Sequence, residues 1–432
     1  MAKKTKKIKV AKDPQDAPKV IGTEEDFRDP EMPEDNQPTR EDKTEVSKDL
    51  NELNINETPM QGNLVERIKE NKAIIIAVML GVIIGGIVLW KILGGSQKSA
   101  GDDSTAQNTT EEGMGKQSAL NSGNVSPFTG LPCENYNRRA IAVMEAGDVS
   151  TRPLSGLSEA DLVVEMPAIT AIITRLMGVY LCNSPKDIGS IRSTSHDYIT
   201  LAKGFDAMLA HWGGSHFALE MLQNKNTVPD LDAMNNPNGA FYRKDGIPAP
   251  DNGFTTYQGL WAAAEKLGYR LINNFEGYPH QDEISKSERP KGGNLRVGFP
   301  GPYGVNYTYD PETNNYLRIW GDKEDIDKNN GQRLAPKNVV VMFAASRQIE
   351  GQYNDVDVEG EGELHVFMNG QEVVGKWTKE KKNCVIGNEL VCMTDSKLKF
   401  LDESGAEIKL VPGQIWLEVL EPGQTLKWTP TL

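Results

Sequence analysis

His211-Trp-Gly-Gly-Ser-His216 is the segment whose residue types and spacing come nearest to chemistry. Two glycines between an apolar run and a helix start leave backbone N–H groups able to hold an anion or a carboxylate. Ser215 stands where a helix N-cap is expected, because a serine hydroxyl accepts from the unpaired N–H groups of a first turn. With His211 or His216 as base it also has the strand–turn–helix setting of a nucleophile, but the final glycine of Gly-x-Ser-x-Gly is missing. Arg175 and Arg192 fall at or beside predicted strands. A guanidinium there is ordinarily paired with a carboxylate, and Asp161 and Glu165 are the obvious partners. Alternatively both arginines and the 213–215 turn face one cleft, joined by Arg243, and bind an anionic group. The candidate ligand-binding set is therefore Arg175, Arg192, His211, Gly213, Gly214, Ser215 and Arg243, with no residue assigned as catalytic. Asp148, Asp161 and Glu165 offer an acid/base pair, though carboxylates are too common to discriminate. No metal or cofactor is expected, since His196, His211 and His216 come without a carboxylate-bearing helical motif.

The elements that must position these residues interleave strand and helix. Arg139 to Glu145, Leu162-Val-Val-Glu and Ile172 to Cys182 read as strands, and so does Asp206 to Trp212. Thr194 or Ser195 is placed to cap a helix running to about Lys203. Ser215 opens another, and Thr255 or Thr256 a third through Leu267, closed by Gly268. Residues 127–268 are thus expected to form a mixed α/β domain, followed by a connector at 269–293. From Asn294 the pattern is strand only. Val305-Asn-Tyr-Thr-Tyr and Tyr316-Leu-Arg-Ile-Trp alternate about a turn, and Asn369-Gly370 suits a type I′ hairpin. Residues 294–432 are expected to form a separate all-β domain.

The remainder sets location. Ala73 to Trp90 runs uncharged and apolar, and the stretch continues to Leu93. Roughly 20 helical residues cross a bilayer core of roughly 30 Å, so 73–93 is expected to be a single transmembrane helix. Arg67, Lys69 and Lys72 against Lys91 and Lys98, with the lysine-rich start, place the N-terminus in the cytoplasm and the rest outside. Gly81 and Gly85 form a Gly-x-x-x-Gly pair through which two copies would pack as a homodimer. The formal charge is −14, and within residues 1–72 the stretch Asp13 to Glu66 is crowded with acidic and poor in large apolar side chains. Such a tail is expected to be disordered. Residues 94–126, rich in Gly, Ser, Thr, Asn and Gln, form a flexible spacer. Nucleic acid is excluded as a partner, because no basic stripe with interleaved aromatics occurs in the folded part. All four cysteines, Cys133, Cys182, Cys384 and Cys392, lie beyond the span. In an oxidising exterior an even count invites two disulfides. Cys384–Cys392 brackets a plausible hairpin, and Cys133–Cys182 follows by elimination. The cysteine spacings match no common zinc site.

Pro-Phe-Thr-Gly-Leu-Pro at 127–132, Arg152-Pro, Ser155-Gly-Leu-Ser-Glu-Ala-Asp and Ile173-Thr-Arg recur with Ile188-Gly-Ser-Ile-Arg-Ser and His211-Trp-Gly-Gly-Ser. Lys337-Asn-Val-Val-Val, Gly375-Lys-Trp and Pro412-Gly-Gln-Ile-Trp follow in the second half. Over about Ser126 to Trp428 this resembles the YerB-like family of bacterial envelope proteins, domain of unknown function 3048. The resemblance implies an N-terminal α/β part, a C-terminal β part and membrane attachment, often as a lipoprotein. It implies no established activity. The chain departs in its apolar span, in Ser195 where the family usually shows a second arginine, and in Asp251 where it tends to have histidine. Two readings follow. In one, the ectodomain binds an anionic or peptidoglycan-related ligand, or a partner in envelope assembly. In the other, it is a cell-wall hydrolase or transferase acting through Ser215 or an acidic pair.

Overall fold

The computed structural model describes residues 123–169, 173–223, 227–351, 353–381, 385–386, 389–390 and 395–431. The acidic tail, the apolar stretch Ala73 to Leu93 with Gly81 and Gly85, most of the spacer, and Cys384 and Cys392 lie outside them. Among the described residues no helix is long and apolar enough to cross a membrane.

The first half carries β1 (Ile141–Ala146), β2 (Leu162–Ile169), β3 (Ile173–Tyr180), β4 (Ile188–Gly189), β5 (Met208–His211), β6 (Asp230–Asp232), β7 (Phe241–Arg243) and β8 (Gly253–Thr255). Its helices are α1 (His196–Gly204), α2 (His216–Gln223) and α3 (Tyr257–Lys266). Among the described residues the second half carries strands and a 3-10 turn at Gly301–Tyr303: β9 (Gly292–Val297), β10 (Val305–Asp310), β11 (Asn315–Trp320), β12 (Lys323–Glu324), β13 (Asn338–Phe343), β14 (Ser346–Glu350) and β15 (Tyr353–Val356). It continues with β16 (Gly360–Met368), β17 (Gln371–Lys379), β18 (Val385–Ile386), β19 (Glu389–Leu390), β20 (Lys399–Asp402), β21 (Ile415–Leu420) and β22 (Leu426–Thr431). The fold is sheet-rich with few helices. Local chemistry places several of these elements as expected. The Thr256 hydroxyl accepts from Gly259 N–H at 2.8 Å at the start of α3. Asn369 and Gly370, with φ of +57° and +68°, turn β16 into β17 in the left-handed conformation that a type I′ turn needs.

The two halves do not close separately, which corrects the expected succession of an α/β and an all-β domain. One ten-stranded sheet runs β20-β17-β16-β13-β21-β2-β3-β1-β5-β6, so five strands come from each half. The junction is β21, parallel to β13 on one side and to β2 on the other. Its sequence, Ile415-Trp-Leu-Glu-Val-Leu, is buried at every position, as are β1 and nearly all of β3. Strands covered on both faces read as continuous apolar runs, and nothing in such a run says which half supplies the neighbour. One face of the sheet bears a single core that mixes Met144, Leu162 and Val164 with Val340, Leu364 and Leu417, and α1 lies in it. The opposite face is divided. Over β1–β3 it packs α3. Over β13 and β16 it packs the five-stranded sheet β12-β11-β10-β9-β22. The Cys133–Cys182 disulfide fastens the segment before β1 to the end of β3.

A buried ionic cluster lies at this junction. Register places Glu165 of β2 beside Glu418 of β21. Arg318 of β11, fully buried, pairs with Glu165 and Asp325, and its Nε donates to the Tyr307 hydroxyl at 3.2 Å. Its guanidinium stacks 4.2 Å from the Trp416 ring centre.

Glu145 of β1 is fully buried too, and burial pushes its carboxyl up to about 8, although the Tyr180 hydroxyl donates to it at 2.8 Å. The folded chain therefore keeps a proton there that the unfolded chain, near 4.5, has released. Stability falls as pH rises through that window, by at most about 1.4 kcal/mol per pH unit for this one group. Glu145→Gln is expected to reduce that slope and to raise the melting temperature at pH 7.5 more than at pH 5. Melts at the two pH values check this; equal shifts would contradict it.

Candidate functional site

The turn singled out in the sequence sits where β5 leaves the sheet. The segment Arg192–Thr194 runs alongside it. Trp212 N–H donates to Arg192 O at 3.0 Å, Thr194 N–H to Gly213 O at 3.1 Å and Ser215 N–H to Thr194 O at 3.1 Å. Gly213 has a φ of +69°, and its N–H donates to Asp232 Oδ1 at 3.0 Å. A side chain at Gly214 would come within 3.0 Å of Thr194 O, so Gly214 follows from backbone contact and Gly213 from its left-handed conformation. His211 is fully buried. Its Nδ1 donates to Gly213 O at 2.8 Å, and Asp230 Oδ2 stands 3.5 Å from Nε2.

Ser215 caps α2: its Oγ accepts from Ala218 N–H at 3.2 Å. Among the described hydrogen bonds none joins that oxygen to a histidine. His216 lies on the surface, with Nε2 3.2 Å from Glu350 Oε2. Ser215→Ala is expected to cost about 0.5–2 kcal/mol of stability, the range of a lost N-cap, measurable by urea titration. A loss well above that range would mean the hydroxyl holds more than the helix.

The arginines have partners other than those expected. Arg192 is buried, with Nη1 donating to Pro250 O at 2.6 Å, Nη2 paired with Asp251 and Nε 3.6 Å from Asp148 Oδ2. Arg175 Nη1 donates to Ser193 O at 3.0 Å and to Ser193 Oγ at 2.6 Å. Asp161 instead accepts from the Ser126 hydroxyl and the N–H groups of Leu181 and Cys182, and Glu165 belongs to the Arg318 cluster. Asp148, Asp161 and Glu165 thus each hold a different part of the frame and form no acid/base pair. Both arginines brace the 192–194 segment against which the turn rests. Arg243 is the exposed member of the set. Its guanidinium lies 4.4 Å over the Trp212 ring, and its Nη1 donates to Asn252 Oδ1 at 2.7 Å. Stacking on an aromatic face orients an arginine while leaving donors free in the ring plane.

A second constellation went unread in the sequence, because its members are separated by more than 150 positions. His196 and Asp197, at the start of α1, meet Asp355 of β15. His196 Nε2 is 3.1 Å from Asp355 Oδ1 and 3.2 Å from Asp197 Oδ1. Burial pushes Asp197 up to about 7. The His196 contact, with Arg347 behind it, draws Asp355 down to about 2. Burial would lower the His196 imidazole, yet Asp355 and Asp197 hold it above its usual value.

Residues 128–270 match the N-terminal domain of a protein of unknown function, DUF3048, and residues 295–417 match its C-terminal domain. The chain belongs to the DUF3048 family. It is 27% identical to the putative lipoprotein YerB of Bacillus subtilis (strain 168) over 305 residues, 68% of this chain and 86% of that one. It is also similar to the crystal structure of the YerB protein from Bacillus subtilis, with a TM-score of 0.62 and 25% identity, covering 71% of this chain and 99% of that chain. The boundary between the two DUF3048 domains falls where the strand-only pattern begins, but the shared sheet joins them into one fold.

Proposed function

We propose that this DUF3048 chain is a membrane-attached envelope protein whose ectodomain binds an anionic or peptidoglycan-related ligand on the face formed by Trp212, the Gly213–Gly214 turn and Arg243. The observation that carries it is the exposed Arg243 guanidinium, stacked on Trp212 beside that turn. Arg175 and Arg192 then act as the frame beneath, since Arg192 is offset by two carboxylates. Attachment is supported by the apolar stretch Ala73 to Leu93, read as a single-pass helix with the N-terminus in the cytoplasm, and by the lipoprotein name of the similar YerB. Sedimentation of the full chain with purified cell wall tests the reading. Co-sedimentation is expected, weakened severalfold in Arg243→Ala and in Trp212→Ala with folding unchanged. Failure of the parent chain to sediment would refute it. The alternative, a wall hydrolase or transferase acting through Ser215, predicts loss of turnover on wall fragments in Ser215→Ala. Capping of α2 already accounts for that hydroxyl.

A further inference from the structure

We propose that His196, Asp197 and Asp355 form a binding site for one first-row divalent cation of the Zn2+ or Mn2+ class, where α1 of the first half meets the β14–β15 hairpin of the second. The proposal goes beyond the anion-binding reading and shares no residue with it. Its basis is convergence on a single ring nitrogen. Asp355 Oδ1 and Asp197 Oδ1 stand 3.1 Å and 3.2 Å from the same atom, His196 Nε2, and the three ligand atoms lie within 4.8 Å of one another. A ring nitrogen carries at most one proton, and only the contact to Asp355 has hydrogen-bond geometry. The proton therefore serves one carboxylate; the other, on the buried Asp197, keeps the Val356 N–H and the Ser195 hydroxyl but faces the like charge of Asp355. A divalent cation among the three atoms serves both carboxylates at once.

The spacing suits a metal. With ligand bonds of about 2.0–2.1 Å, neighbouring donors around a tetrahedral ion stand about 3.3 Å apart. The outer oxygens are held by the protein, as ligating carboxylates usually are. Asp355 Oδ2 accepts from Arg347 at 2.6 Å and 2.8 Å, and Asp197 Oδ2 lies 3.4 Å from the Ser195 hydroxyl. His365 provides the contrast. Its Nε2 meets Glu363 at 2.9 Å and its Nδ1 meets Glu372 at 2.8 Å. Each of those nitrogens has its own carboxylate, so no common point is left for an ion. One imidazole and two carboxylates favour Zn2+, Mn2+ or Fe2+ over Ca2+, which prefers oxygen alone. Three protein ligands leave a coordination position for water or for an oxygen of a bound molecule. His196 and Asp355 are both partly exposed, so that position is open to solvent.

The test uses the full chain, free of any tag and stripped of metal, titrated with ZnCl2 and with MnCl2. Uptake is followed by equilibrium dialysis with metal analysis, and Co2+ serves as a spectroscopic substitute. Binding of one equivalent is expected, with a raised melting temperature. Affinity should fall at least tenfold in His196→Gln and in Asp355→Asn, with the Co2+ visible spectrum lost. His365→Gln should bind as the parent does. Circular dichroism of the metal-free variants establishes that they are folded; should Asp355→Asn not fold, His196→Gln, at a partly exposed ring, decides the matter. No uptake near one equivalent would overturn the proposal. So would uptake that His196→Gln leaves unchanged, which would mark the ion as adventitious.

Discussion

Replacing Arg318 with alanine is expected to cost about 3–5 kcal/mol of folding stability, the range seen when one partner of a buried ion pair is removed. Arg318 is completely buried among Glu165, Asp325 and Glu418 and stacks on Trp416. Its removal leaves the buried Glu165 and Glu418 without their cation, while Asp325 keeps Arg152 at 3.2 Å. The Glu418 carboxyl is already held above its usual range, by burial first and then by the facing Glu165. An uncompensated group would have to take up a proton or draw in water. The loss should therefore be smaller in acid, where protonation relieves the repulsion, and larger at pH 8. Urea unfolding at pH 5 and pH 8 measures both values. A loss below about 1 kcal/mol at either pH would mean that the cluster is hydrated and that the surface value for ion pairs applies. Arg318→Met tests the converse: an apolar side chain stacks on Trp416 but leaves the carboxylates, so it should recover little of the loss.

Ending the chain after Arg289 should abolish cooperative folding of the first half, although that half matches a family domain of its own. The truncation removes β21 and so leaves β2 as an unpaired edge whose residues are buried on both faces. It also strips Val340, Met342, Leu364, Val366, Leu417 and Val419 from the core that contains Leu162, Val164 and Met144. Burying a side chain of this size contributes about 1.5–3 kcal/mol. Six together match the whole stability of a typical domain, about 5–15 kcal/mol. The expected fragment has a broad, non-cooperative urea transition and binds hydrophobic dyes. A sharp transition with near-native circular dichroism would show that β2 can serve as an edge and that the first half is autonomous.

Much of this architecture was legible locally. The N-cap at Thr256, the Asn369-Gly370 turn, the β10–β11 hairpin and the order of strands and helices in the first half follow from side chains within a few residues of where they act. Ser215 belongs with them: serine ahead of a helix is a cap, and the structure uses it as one. Pairings across long separations were not legible. Asp161 and Glu165 looked like partners for Arg175 and Arg192 because they are near in sequence. The carboxylates that meet Arg192 come instead from loops at Asp148 and Asp251. The sequence offers the Cys133–Cys182 disulfide only by elimination, and the contact that makes it sits at the end of β3.

The sequence by itself determined the family, the place of the α-helices of the described residues in the first half, and the chemistry of most turns and caps. These depend on backbone preferences and hydrophobic period, which are properties of short segments. Only the tertiary structure decided that the two halves share one sheet, that Arg318 answers three carboxylates from two other strands and a loop, and that His196 meets Asp355. A buried strand presents the same apolar run whichever strand it pairs with. A charged residue likewise takes its meaning from whatever the fold packs against it. The segment around Ser215 is the capped helix start that the sequence indicates, and the fold adds the exposed arginine stacked beside it.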